Sequence, residues 1–213
     1  MDATPFHDDH LVWLDTACHG RDLVGGKGAS LSHLLSLGAQ VPPAIGLTTR
    51  AYRSFAANLG LPCHGNGWTN ADLADARARI IESPLPSTVA DLFARAYAAL
   101  DERLGNGLEV AVRSSAIDED SAGKSFAGLH DTVLGVRGGA AFEAAVRRCW
   151  ASLWTDRAMA YRAAATVEDR RGPCAAHTSA RRAEWARGWT PSGDLQSTRP
   201  AAALPCARGP PRT

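Results

Sequence analysis

The chain predicts an α+β fold. Three observations carry this reading. Short apolar runs flanked by turn residues lie at Leu11–Leu14, Ile45–Thr48, Leu108–Val112 and Thr132–Val136. Segments with apolar residues at helical spacing lie between them. Val, Leu, Ile, Met and Phe then almost vanish after Thr166. The 213 residues suffice for one large domain or two small ones, and 45% hydrophobic content fits a globular core.

The elements follow in order. Met1 to His10 is polar and acidic and is expected to be a flexible N-terminus. Leu11–Leu14 reads as an edge strand, and Asp15 to Gly25 as a polar loop. Gly26-Lys27-Gly28 opens a helix carrying Leu31, Leu34 and Leu35, with Gly38 as its C-cap. After Pro42-Pro43 comes the strand Ile45–Thr48. Thr48 or Thr49 can cap the next helix, whose buried face holds Tyr52, Phe55, Ala56 and Leu59. Two helices follow, over 70–81 and after Pro86, the second with Val89, Leu92, Phe93, Ala96 and Leu100 in register. Leu108–Val112 is a strand, and a strand pair is expected around Phe126 and Thr132–Val136. Phe142, Val146, Cys149, Trp150, Leu153 and Trp154 form a helical stripe that should pack on the sheet. Asp156 is placed to cap a last helix through Tyr161.

Residues 167–213 contain Val167, Leu195 and Leu204 and no other Val, Leu, Ile, Met or Phe. They hold six of the twelve prolines, and arginine supplies all their basic charge. Ordering a backbone costs roughly 1–2 kcal/mol per residue, which so little apolar surface does not offset. The segment 166–213 is therefore expected to be a disordered tail. Its Arg/Pro/Ala/Gly bias is that of GC-rich DNA read out of frame; the alternative is a genuine basic linker.

Formal net charge is +1, so no strong pull towards nucleic acid or membranes is expected. No run of 18 uncharged apolar residues exists, and the N-terminus lacks a secretory pattern, so a cytoplasmic location is the default. The five cysteines are scattered without a CxxC pair and support neither a zinc ribbon nor a disulfide framework.

Chemistry is concentrated in two places. Gly25-Gly26-Lys27-Gly28 fails as a Walker A loop, because Arg21 stands where the first glycine belongs and Gly28 follows the lysine. It retains a lysine at a glycine-flanked helix start, where backbone N–H groups and the helix dipole favour an anion. Arg113 ends a strand; its planar fork can grip phosphate, or pair with Asp118, Glu119 or Asp120. Ser114 and Ser115 can donate hydrogen bonds. Gly128 permits close backbone approach to a ligand and Thr132 offers a hydroxyl. Asp118–Asp120 reads as a solvated loop rather than a Mg²⁺ site, His130 as an ordinary loop histidine, and Trp150 and Trp154 as core.

Together, Val24 to Leu31, Val41-Pro42-Pro43 to Thr48-Thr49, Val110 to Ala116, Ser125 to Gly128 with Asp131-Thr132, and Cys149 to Arg162 resemble the N-terminal ATP-binding region of the phosphoenolpyruvate synthase / pyruvate phosphate dikinase family, which includes rifampicin phosphotransferases. The resemblance covers about residues 11–165. It implies the first subdomain of an ATP-grasp-type nucleotide-binding domain, in which two subdomains clamp ATP. It also implies that Lys27 and Arg113 contact the nucleotide phosphates, with Gly128 and Thr132 in the loop that closes over them. In that family the β-phosphate of ATP passes to a histidine on a separate domain. Leu129 departs from the glutamine common after the loop glycine. Nothing after Tyr161 resembles the second subdomain, so Mg²⁺ is expected for the family while its ligands are absent here.

Three readings result. The first is an ATP-binding portion of a dikinase-like phosphotransferase that does not turn over alone, because phosphoryl transfer needs positioning and metal neutralisation. The second is one subunit of a split enzyme, with a separately encoded remainder as partner. The third is a non-enzymatic binding module.

Overall fold

The computed structural model describes residues 9–39, 41–61, 68–105, 107–115, 132–156 and 158–159, and the backbone of 175–181. The described elements are β1 (Leu11–Trp13), α1 (Arg21–Ser36), β2 (Ala44–Leu47), α2 (Thr49–Asn58), α3 (Asn70–Glu82), α4 (Ser87–Leu104), β3 (Glu109–Ser115), β4 (Thr132–Val136), α5 (Gly139–Ala151) and β5 (Ala175–Arg181). A 3₁₀ turn, Ser152–Trp154, extends α5. The fold is α+β. Its sheet runs β1-β2-β5-β3-β4, with every neighbouring pair antiparallel.

The two faces of the sheet are unlike, and the alternation of side chains along each strand decides which residue goes where. Leu11, Ile45, Leu47, Val110, Val112 and Val136 point to the main core, which α2 to α5 cover. Val12, Leu14 and Ala44 point the other way, to a small cluster under α1 that includes Val24, Leu31 and Leu35. Trp150 sits at the centre of the main core, fully buried. Its ring lies 5.5 Å from Tyr52, 5.0 Å from Phe55 and 5.3 Å from Phe93. The predicted stripe is buried throughout, with Phe142, Val146, Cys149 and Trp150 on α5 and Leu153 and Trp154 on the 3₁₀ turn after it, all in this core.

Local capping explains most helix limits. Gly38 (φ +79°) follows α1, and Ala39 N–H donates to Leu34 O (3.1 Å) while Gly38 N–H donates to Leu35 O (3.0 Å). This is a Schellman closure, which a glycine makes without steric cost. Thr48 caps α2, its hydroxyl accepting from Ala51 N–H. Thr69 and Asp72 form a reciprocal capping box at the start of α3. The buried Arg147 donates to Ile80 O (3.1 Å), Ile81 O (3.1 Å) and Ser83 O (2.7 Å), closing the other end of α3. Tyr97 Oη accepts from Gly138 N–H (2.7 Å) and donates to Leu108 O (3.3 Å), joining the start of α5 to the lead-in of β3.

Four expectations are corrected. The helix expected to open at Gly26 has an earlier turn beginning at Arg21, broken at Gly25. After Trp154 the capping side chain is Thr155, whose hydroxyl accepts from Ala158 N–H (3.2 Å), rather than Asp156. Cys18 is disulfide-bonded to a partner outside the described residues, although the scattered cysteines predict no framework. Residues 175–181, expected within a disordered tail, form β5 and fill the middle of the sheet. The backbone supplies the reason: β2 and β3 each present a full row of N–H and C=O groups, and any extended segment can pair with them. The rest of 166–213, with Phe126 and the N-terminal eight residues, lies outside the described residues.

Candidate functional site

β3 ends in Arg113-Ser114-Ser115, and its alternation separates the three. Val110 and Val112 point to the main core, so Arg113 and Ser115 project from the α1 face. Arg113 is exposed, whereas Ser114 and Ser115 are fully buried. In the antiparallel ladder Arg113 stands directly opposite Thr132, which puts the two on the same face, and Thr132 is exposed as well. Among the described residues no carboxylate pairs with Arg113.

The glycine-rich start of α1 rests on this strand end. Gly25 has φ +73° and ψ 175°, which interrupts the helix so that it restarts at Gly26. A Cβ at Gly25 would overlap Ser115 O, so only glycine fits. Gly28 N–H donates to Ser115 Oγ at 3.0 Å. Lys27 Nζ donates to Ser114 O at 3.3 Å. Before the break, Asp22 O accepts from Thr49 Oγ1 (2.7 Å), tying the first turn of α1 to α2.

Three of the four residues singled out in the sequence thus share one face of the sheet. Lys27 reaches the carbonyl next to Arg113, and Thr132 stands beside Arg113. The fourth, Gly128, lies outside the described residues, as do His130 and Asp118–Asp120. Two sequence-based expectations change. Ser115 Oγ accepts from Gly28 rather than facing a ligand. Ser114 Oγ is buried without a partner among the described residues, and its carbonyl serves Lys27. One signal in the sequence bore on Ser115: strand alternation places it on the same face as Arg113, two residues earlier. Its bonding partner, 87 residues away, left no signal at all. Among the described residues no group of three or more His, Cys, Asp or Glu is gathered as a metal site.

Residues 21–177 match the family model for the pyruvate phosphate dikinase AMP/ATP-binding domain. The chain belongs to this family. The match begins with α1, takes in the glycine break and the end of β3, and reaches into β5. Among curated relatives, the chain is 36% identical over 179 residues to a probable phosphoenolpyruvate synthase of Staphylothermus marinus, covering 77% of this chain and 22% of that protein. It is 41% identical over 138 residues to the prodigiosin synthesizing transferase PigC of Serratia marcescens, covering 65% and 15%. It is 35% identical over 173 residues to the phosphoenolpyruvate synthase of Synechocystis, covering 71% and 21%. The chain therefore spans about a fifth of the length of these phosphoenolpyruvate synthases and less of PigC. No helix among the described residues of this dikinase-type domain is long and apolar enough to cross a membrane.

Proposed function

We propose that this chain is the ATP-binding portion of a phosphoenolpyruvate synthase-like phosphotransferase, built as the first subdomain of an ATP-grasp clamp and working in the cytoplasm. The observation that carries the reading is the meeting of Lys27 and the Arg113 strand end on one sheet face, with Thr132 opposite Arg113. Two cations beside glycine-flanked backbone N–H groups match the charge and geometry of a polyphosphate. Lys27 supplies a compact charge and Arg113 a planar fork, so the two hold phosphate oxygens differently. Thr132 adds a hydroxyl on the same side, and Gly128 belongs to the loop that closes over the nucleotide.

In this reading the 213 residues bind and orient the nucleotide. Transfer of the phosphoryl group through a phosphohistidine, and the ligands of the Mg²⁺ that accompanies ATP, belong to parts of the enzyme beyond them. The chain alone is then inactive. The second reading is a split arrangement, in which a separately encoded partner brings those parts. Mixing the purified chain with that partner would then restore ATP-dependent phosphorylation of a histidine.

The test is calorimetric titration of the chain with ATP. A charge-assisted hydrogen bond contributes about 1.5–3 kcal/mol. Lys27→Ala and Arg113→Ala should each weaken ATP by roughly ten- to a hundredfold. Binding that is unchanged in both variants would refute the site.

A further inference from the structure

We infer that Ser115 is the positioning residue of this site, an N-cap supplied from a distant strand that fixes where Lys27 stands. This rests on the phosphate-binding reading above and deepens it. The second segment of α1 begins after Gly25, and at a helix start the first-turn amides draw their acceptors from outside the helix. A capping side chain would ordinarily come from the residue at the break. That residue is Gly25, which has no side chain, and a Cβ there would strike both Ser115 O and Ser115 Oγ.

The hydroxyl that the break lacks comes from β3. Ser115 Oγ accepts from Gly28 N–H at 3.0 Å, across 87 residues of sequence, and Ser115 is fully buried. The contact is specific in direction. Gly28 follows Lys27 directly, so fixing the Gly28 amide fixes the backbone from which Lys27 reaches Ser114 O. Arg113 leaves the same strand two residues before Ser115. A single hydroxyl therefore sets the spacing between the two cations, one on a helix and the other on a strand. Without it the start of the helix can shift against the strand end, and Lys27 and Arg113 no longer meet one polyphosphate together. An ångström-scale misplacement suffices to lose much of such a cooperative grip.

The experiment titrates the full chain with inorganic tripolyphosphate and records a melting curve for each variant. Ser115→Ala should lower affinity about tenfold, and Ser115→Thr, which keeps the hydroxyl, should restore it to within about twofold of the parent. In a Lys27→Ala chain, Ser115→Ala should lower the melting temperature again but not the affinity, since Ser115 acts through Lys27. Should Ser115→Ala not fold, Ser115→Cys replaces it: a thiol fills the space, being somewhat larger than the hydroxyl, and accepts weakly, with the same expectations. Parent-like affinity in Ser115→Ala, failure of Ser115→Thr to rescue, or a further loss of affinity in the Lys27→Ala background overturns the inference while leaving the site standing. A parent chain that does not bind tripolyphosphate overturns the site and the inference with it.

Discussion

Gly25 is the residue on which the candidate site turns. Its φ of +73° with ψ 175° belongs to a region that is essentially closed to side chains, and the would-be Cβ overlaps backbone rather than a yielding side-chain tip. Gly25→Ala should therefore destabilise the chain by roughly 3 kcal/mol, combining backbone strain with overlap. Thermal unfolding followed by circular dichroism measures this, and a melting temperature equal to the parent's would show that the break is not required. The run Gly25 to Gly28 was legible in the sequence as a turn with an anion-friendly lysine. Its docking on Ser115 was not, because contacts across 87 residues leave no local pattern. Arg113 was legible as a strand-end arginine with two possible fates; it is exposed and stands opposite Thr132, while Asp118, Glu119 and Asp120 lie outside the described residues.

Elements follow the sequence closely wherever periodicity is strong. On α4, Val89, Leu92, Phe93, Ala96 and Leu100 are all buried, as their spacing requires. The capping box of α3 offers a pH test. Asp72 is exposed, yet the Thr69 hydroxyl first and the Thr69 N–H second hold its carboxyl below the ordinary value. Both contacts are short, with Thr69 Oγ1 and Thr69 N each 2.7 Å from Asp72 Oδ2. Since the folded-state value lies below the unfolded one, the contribution of Asp72 is full above the ordinary aspartate range. It is lost as pH falls through that range to the lowered folded value. Asp72→Asn should lower stability at neutral pH and narrow the gap to the parent on acidification. Urea titrations at neutral and acidic pH check this; a gap that widens in acid would be the wrong sign. The Thr155 cap escaped the sequence because either of two neighbouring polar residues, Thr155 or Asp156, can cap, and packing chooses between them.

At the scale of the whole molecule the sheet holds its halves together through β5. β2 and β3 are not neighbours, and each pairs with β5 along its length: Ile45 and Val112 both stand opposite Thr178. The strand's own sequence, Ala175-Ala176-His177-Thr178-Ser179-Ala180-Arg181, carries no aliphatic residue larger than alanine. Its place in the fold therefore rests on backbone pairing. Proline has no N–H and does not fit inside a central strand. Thr178→Pro should separate the β1-β2 and β3-β4 halves, visible as faster hydrogen exchange at Ile45 and Val112 together. Exchange that is unaltered at both would mean that β5 does not hold the sheet.

The sequence by itself determined the α+β class, the limits of α3, the start and buried face of α4, and the buried stripe of α5. Each of these depends on spacing within one segment, and spacing is written in the chain. Only the tertiary structure decided that Lys27 and Arg113 belong to one face, that a serine from β3 serves a helix start in α1, and that residues 175–181 complete the sheet. Those outcomes depend on which backbone donors and acceptors are left unpaired once the elements pack, a property of the assembled fold and of no single stretch.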